Sequence, residues 1–123
     1  MMRASLVKND ENDTEKLIVD VPIIYGAHTS DVTNNTAKIH YGVLAKLPIE
    51  NCTLELYSDW KSENLVKTIS LPKEDSFHSF TLDDLEPQTN YFCKIEVTQE
   101  GDPDYNNNKS VNATRVKFQT PKD

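Results

Sequence analysis

The sequence predicts an all-β fold in which about seven antiparallel strands form a two-sheet sandwich. Short segments rich in β-branched and aromatic residues recur, most of them roughly 10 to 15 residues apart. Asn, Asp, Pro and Gly, which favour turns, separate these segments. The chain has no long segment with helical periodicity, although residues 61–67 have room for one helical turn. This combination is typical of a β-sandwich.

The predicted strands follow one another along most of the chain. In the best defined of them, apolar side chains occupy every second position and therefore share one face of the strand, as in 37–43 and 91–97. Pro22 alone separates the first two segments. In chain order the segments are 17–21, 23–25, 36–43, 53–57, 66–71, 76–82, 91–98 and 115–118.

The composition indicates one folded domain with a polar lead-in. Residues 1–15 are mostly polar and charged and are predicted to be disordered, and residues 16–123 are predicted to form the domain. The net charge of −7 disfavours nucleic acids and anionic membranes as partners. No apolar run approaches the roughly 20 residues of a membrane span, and the first residues lack the apolar region of a secretory signal. We therefore expect a monomer that does not insert into membranes. The sequence leaves two expected locations, extracellular if the chain is excised from a longer one and cytoplasmic otherwise.

One segment, residues 82–97, decides between sandwich types. A strand ends at Leu82, Leu85 returns to the core, Pro87 stiffens the turn, and Tyr91 opens the next strand. A tyrosine in this place can bond its hydroxyl to the backbone upstream. The pattern Leu-x-x-Leu-x-Pro-x-Thr-x-Tyr resembles the corner motif of fibronectin type III domains.

The resemblance extends over roughly residues 20–121. Residues 32–41 are similar to the entry into the second strand of that family, and residues 113–121 are similar to its last strand and Thr-Pro exit. Tyr41 stands where the family usually has tryptophan. The resemblance implies an immunoglobulin-like sandwich with sheets A-B-E and C′-C-F-G, and a function in protein binding or in spacing neighbouring domains. The predicted inward residues are Ile39, Tyr41, Leu54, Leu56, Ile69, Phe80, Leu82, Leu85, Tyr91, Cys93, Ile95, Val116 and Phe118.

The two cysteines are predicted to be free and buried. Cys52 begins one strand and Cys93 lies early in a strand that should pair with it antiparallel. The two would then lie on the order of 15 Å apart at about 3.3 Å per residue. A disulfide needs Cα atoms within about 7 Å.

The sequence contains no recognisable catalytic or cofactor motif. It has no Ser/His/Asp set, Gly-rich phosphate loop or His/Glu metal motif, and its three histidines are scattered. We therefore expect a non-enzyme without a cofactor. Asp102, Asp104 and the neighbouring asparagines have the oxygen ligands that calcium prefers, but not the spacing of a known calcium loop.

Binding residues are predicted in two segments between strands. Tyr57 and Trp60 form an aromatic pair at the end of a strand, where they can stack on a partner surface. Asp102, Asp104 and Tyr105 belong to a long polar segment after the 91–98 strand. The same two segments look like parts of starch- and glycogen-binding β-sandwich modules. That resemblance makes Trp60 and Tyr105 sugar-stacking platforms and a carbohydrate-binding module an alternative function.

Two further motifs have both a functional and a structural interpretation. Residues 115–118 read Arg-Val-Lys-Phe, which fits the motif by which regulators dock on type 1 protein phosphatase, but Val116 and Phe118 are also inward residues of the predicted last strand. Five Asn-x-Ser/Thr sequons indicate an extracellular glycoprotein, or only an Asn-rich composition. The sequon asparagines are Asn12, Asn34, Asn51, Asn108 and Asn112.

Overall fold

The computed structural model of the protein describes residues 21–59, 64–101 and 108–122. These residues form seven antiparallel strands in two sheets, and no helix occurs among them. The predicted all-β sandwich is therefore confirmed. The strands are β1 (Ile23–Ser30), β2 (Ala37–Leu44), β3 (Ile49–Tyr57), β4 (Leu65–Ser70), β5 (Phe77–Leu82), β6 (Asn90–Gln99) and β7 (Ser110–Gln119).

The two sheets have the strand order implied by the resemblance. One sheet has the order β1-β2-β5 and the other has the order β4-β3-β6-β7, which correspond to A-B-E and C′-C-F-G. Most predicted strand positions are confirmed, but β3 and β7 each begin earlier than predicted, at Ile49 and Ser110. Both pair with the ten-residue strand β6 as far as Gln99, so backbone hydrogen bonding extends them through polar positions that break the apolar alternation.

Two predictions concern the ends of the described segments. Residues 17–20 of the first predicted strand lie outside the described residues, and Val21 is exposed and precedes β1. Residues 61–63 of the suggested helical turn also lie outside them, and Leu65 already begins β4. From Leu65 to Lys67 the chain is therefore extended.

The core lies between the sheets and is built from alternate positions of the strands. All predicted inward residues contribute to it, with Ile69 and Phe80 only partly buried. The other members of the core are Ala37, Val43, Cys52, Leu71 and Val97, and Gln99 and Thr120 are buried polar residues. The Tyr41 ring is fully buried, and its hydroxyl has no hydrogen-bond partner among the described residues.

The corner motif forms the predicted link between sheet and turn. The backbone amide of Glu86 donates a hydrogen bond to the Tyr91 hydroxyl at 2.8 Å, and the Tyr91 ring stacks on Phe118 at 5.4 Å between centroids. The Thr120 hydroxyl donates to the Glu86 carbonyl at 2.6 Å and accepts from the Thr89 amide at 3.0 Å. The turn is thus fixed both to β6 and to the end of β7.

Cys52 and Cys93 are free and buried, as predicted. Cys52 lies opposite Val97, and Cys93 lies opposite Leu56. The two cysteines are therefore four residues out of register, about 13 Å along the sheet at about 3.3 Å per residue. This separation is too large for a disulfide.

Both thiols should be unreactive in the folded protein. Burial raises the pKa of Cys52 to about 11 and that of Cys93 to about 12. Because the thiolate is the reactive form, we expect no reaction with Ellman's reagent at pH 8 in native protein and reaction of both thiols after unfolding in guanidinium. Rapid reaction of the native protein, or a non-reduced mass two protons lower than the reduced mass, would contradict this prediction.

Candidate functional site

Of the five predicted binding residues, Tyr57 lies within the described part of the chain. Tyr57 is the last residue of β3 and faces outward from the four-stranded sheet. The predictions on Trp60, Asp102, Asp104 and Tyr105 lie outside the described residues.

The described residues next to these two segments lie at opposite ends of the sheet. Tyr57 pairs with Phe92 near the start of β6, whereas Ser110 pairs with Gln99 at its end. The positions from Phe92 to Gln99 span about 23 Å at about 3.3 Å per residue. The described ends of the two predicted binding segments therefore lie far apart along the sheet.

Tyr57 belongs to a cluster that the sequence did not predict as a unit, formed with Phe92 and Arg115 and called here the aromatic–arginine cluster. The rings of Tyr57 and Phe92 meet edge to face at 5.8 Å, and the Arg115 guanidinium lies 5.9 Å from the centre of the Phe92 ring. Phe92 is only 4% exposed although its position on β6 points away from the core. A cation over an aromatic face is attracted by the ring quadrupole.

Charged side chains surround this cluster on the same outer face. The Tyr57 hydroxyl donates a hydrogen bond to Glu55 Oε1 at 2.8 Å, and this bond raises the pKa of Tyr57. Glu55, Lys94 and Arg115 lie side by side on β3, β6 and β7, and Lys94 Nζ is 3.8 Å from Glu96 Oε2. The face therefore combines an aromatic centre with both signs of charge.

The Arg-Val-Lys-Phe motif is part of β7. Val116 and Phe118 point into the core and are buried, while Arg115 and Lys117 face outward. The phosphatase-docking motif would use the same two apolar side chains. Docking through this motif would therefore require β7 to leave the sheet, which favours its structural interpretation.

The sequon asparagines differ in how their side chains are placed. Asn51 on β3 and Asn108 before β7 are exposed, and Asn34 is partly buried between β1 and β2. The Asn112 amide donates to the Pro22 carbonyl at 2.9 Å and its oxygen accepts from the Ala113 amide. Glycosylation of Asn112 would therefore disrupt the hydrogen bond from its amide to the Pro22 carbonyl. Asn12 lies outside the described residues.

A second surface lies on the outer face of the three-stranded sheet, and the sequence did not predict it. Four large apolar side chains, Ile23, Tyr25, Leu44 and Phe77, share this face and are each 40% to 51% exposed. Ile23 is directly opposite Leu44, and the rings of Tyr25 and Phe77 are 6.1 Å apart. We call these four residues the outer patch.

Two histidines extend the outer patch along the sheet. The rings of His28 and His40 stack at 4.5 Å, and His40 stacks on Phe77 at 6.5 Å. His40 is held on both sides, because its Nε2 is 2.7 Å from the Ser30 hydroxyl and its Nδ1 is 2.8 Å from the Ser79 hydroxyl. The patch is therefore bordered by an ordered row of rings.

The described residues contain neither a candidate metal site nor a membrane-spanning helix. They contain no group of three or more His, Cys, Asp or Glu side chains placed to hold a metal ion. The same residues include no helix that could span a membrane.

Comparison with solved structures supports the fold. The chain is similar to a computationally redesigned β-sandwich protein, with a TM-score of 0.61 and 22% identity over 80% of this chain and 94% of that one. It is also similar to the third fibronectin III domain of human KIAA0343 protein, with a TM-score of 0.56 and 14% identity over 85% and 87% of the two chains.

A third similar structure comes from a bacterial protein. The sensor domain of the anti-sigma factor RsgI4 of Pseudobacteroides cellulosolvens has a TM-score of 0.50 and 22% identity over 82% of this chain and 93% of that one. No family model and no curated protein sequence matches the chain. At these identities the comparisons show a β-sandwich module and nothing more specific.

Proposed function

We propose that the chain is a fibronectin type III-like domain that acts as a non-catalytic protein-interaction module, as one domain of a larger protein. The aromatic–arginine cluster of Tyr57, Phe92 and Arg115 carries the proposal. Aromatic residues and arginine are enriched at the energetic centres of protein interfaces, and charged residues typically form the rim. The outer face of the four-stranded sheet has this arrangement, with Glu55 and Lys94 beside the cluster.

The fold supports the proposal because it presents this face on a rigid support. The cluster lies on three adjacent, mutually hydrogen-bonded strands, β3, β6 and β7. Side chains held in this way lose little conformational freedom when a partner binds, which favours affinity. The mixture of apolar and charged groups suits a partner that associates and dissociates, because such interfaces are about as polar as ordinary protein surface.

Binding to a partner from the source cell should depend on this cluster. With the full chain as immobilised bait, Tyr57→Ala and Arg115→Ala should each weaken capture of a specific protein about tenfold or more, because truncating a central interface residue removes a large share of the binding energy. Thr98→Ala is the matched control, since Thr98 lies on the same face of β6 near its other end. Capture, denaturation midpoint and circular dichroism should be measured for all variants.

Two outcomes would contradict the proposal. Equal capture by wild type and both cluster variants would exclude the cluster as the contact surface. A change of Trp60 fluorescence on adding millimolar maltooligosaccharides or glycogen, without any captured protein, would favour the carbohydrate-binding alternative instead.

A further inference from the structure

Two glycines place side chains of the outer patch on the face of the sheet. Gly42 lies under the ring of Tyr25, and a Cβ atom at this position would overlap that ring. Tyr25 therefore lies flat over β2 only because residue 42 is glycine. Gly26, with a φ of 64°, forms a β-bulge that brings both Tyr25 and His28 to the outer face.

The face that carries the patch is almost free of charge. Its paired outward positions hold one charged residue, Lys38, and no carboxylate, in a chain whose net charge is −7. Two carboxylates lie at the ends of this face. Asp31 follows the last residue of β1, and Asp75 accepts a hydrogen bond from the Ala45 amide, next to Leu44. The outward positions of these strands are Ile23, Tyr25, His28, Ser30, Lys38, His40, Gly42, Leu44, Phe77, Ser79 and Thr81.

This distribution of charge favours a second copy of the chain as the partner. Two acidic chains repel each other when most of their surfaces meet, and like charges placed opposite each other cost interaction energy. The outer face of the three-stranded sheet avoids this repulsion and leaves the acidic surfaces of both copies in water. Interfaces between identical subunits are also more apolar than those between transient partners.

We propose that the outer patch is a self-association surface that binds a second copy of this chain. The two copies meet sheet against sheet about a two-fold axis, so that Tyr25, Leu44 and Phe77 of each copy pack against the patch of the other. This inference is independent of the function proposed for the aromatic–arginine cluster, which lies on the other sheet and stays exposed in such a dimer. A dimer of this kind differs from the monomer that the sequence predicts.

Sedimentation velocity of the full chain tests the proposal. Wild type at tens of micromolar should sediment as a dimer of the 14.0 kDa chain. Phe77→Ser and Leu44→Ser should each raise the dimer dissociation constant about 100-fold or more, because each substitution removes an apolar contact twice in a two-fold interface. Val111→Ser is the matched control, since Val111 is 54% exposed but lies on β7 of the other sheet. It should leave the dimer intact.

Each other outcome would overturn the proposal. A wild-type chain that stays monomeric at several hundred micromolar would show that the patch does not bind a second copy, and would favour a different protein as its partner. A dimer that survives both patch substitutions would use another surface. A monomer that dimerises only after deletion of residues 1–20 would mean that the chain's own first residues occupy the face. Circular dichroism of Phe77→Ser and Leu44→Ser should match wild type, because both side chains are about half exposed.

Discussion

Replacing Tyr91 by alanine should lower the free energy of unfolding by about 3–5 kcal/mol, as for other large aromatic residues removed from a core. The Tyr91 ring is buried against Phe118, and its hydroxyl accepts the hydrogen bond from the Glu86 amide that fixes the turn before β6. The substitution removes the ring and leaves that amide without its partner. Urea denaturation followed by circular dichroism measures the change.

The hydroxyl contribution can be separated from that of the ring by a matched pair. Tyr91→Phe should cost about 1 kcal/mol, because it removes the hydrogen bond that the Tyr91 hydroxyl accepts from the Glu86 amide. Tyr41→Phe should be neutral or stabilise the domain by up to about 1 kcal/mol, because the buried Tyr41 hydroxyl has no partner among the described residues. A Tyr91→Ala variant within about 1 kcal/mol of wild type would contradict the role of the corner.

The sandwich was predictable because the side chains that form its core alternate along the chain. In β6, Tyr91, Cys93, Ile95 and Val97 occupy every second position, and all four are buried. The corner motif also marks the start of β6 near Tyr91, which is why the placement of Cys93 early in that strand followed from the sequence. Strand ends were less predictable, since backbone pairing continues through polar residues such as Asn51 and Asn112.

The two candidate surfaces were not predictable in the same way. Phe92 is an apolar residue at an outward position, and only the pairing of β3, β6 and β7 shows that Tyr57 and Arg115 lie next to it. Tyr25 and His28 are three residues apart, a spacing that strict alternation would place on opposite faces. The bulge at Gly26 places both on the same face. Contacts across strands and a bulge leave no periodic trace in the sequence.

Replacing Phe118 by alanine should also cost about 3–5 kcal/mol of unfolding free energy. Phe118 is buried and stacks on Tyr91, and Val116 is the next inward residue of β7. Removing the ring leaves a cavity beside the corner. The paired strands β6 and β7 cannot close this cavity without breaking their pairing. A domain with an ordinary stability of about 5–15 kcal/mol would lose a large fraction of it. Thermal and urea denaturation measure this loss.

The neighbouring residue provides the control that separates the structural interpretation of residues 115–118 from phosphatase docking. Lys117 faces outward and is exposed, so Lys117→Ala should change stability by no more than about 0.5 kcal/mol. If the motif docks on type 1 protein phosphatase, wild type should co-purify with the enzyme, and Phe118→Ala should abolish this while remaining folded. Because the same ring cannot fill both the core and a phosphatase groove, we expect a strongly destabilised Phe118→Ala variant and no phosphatase bound to wild type.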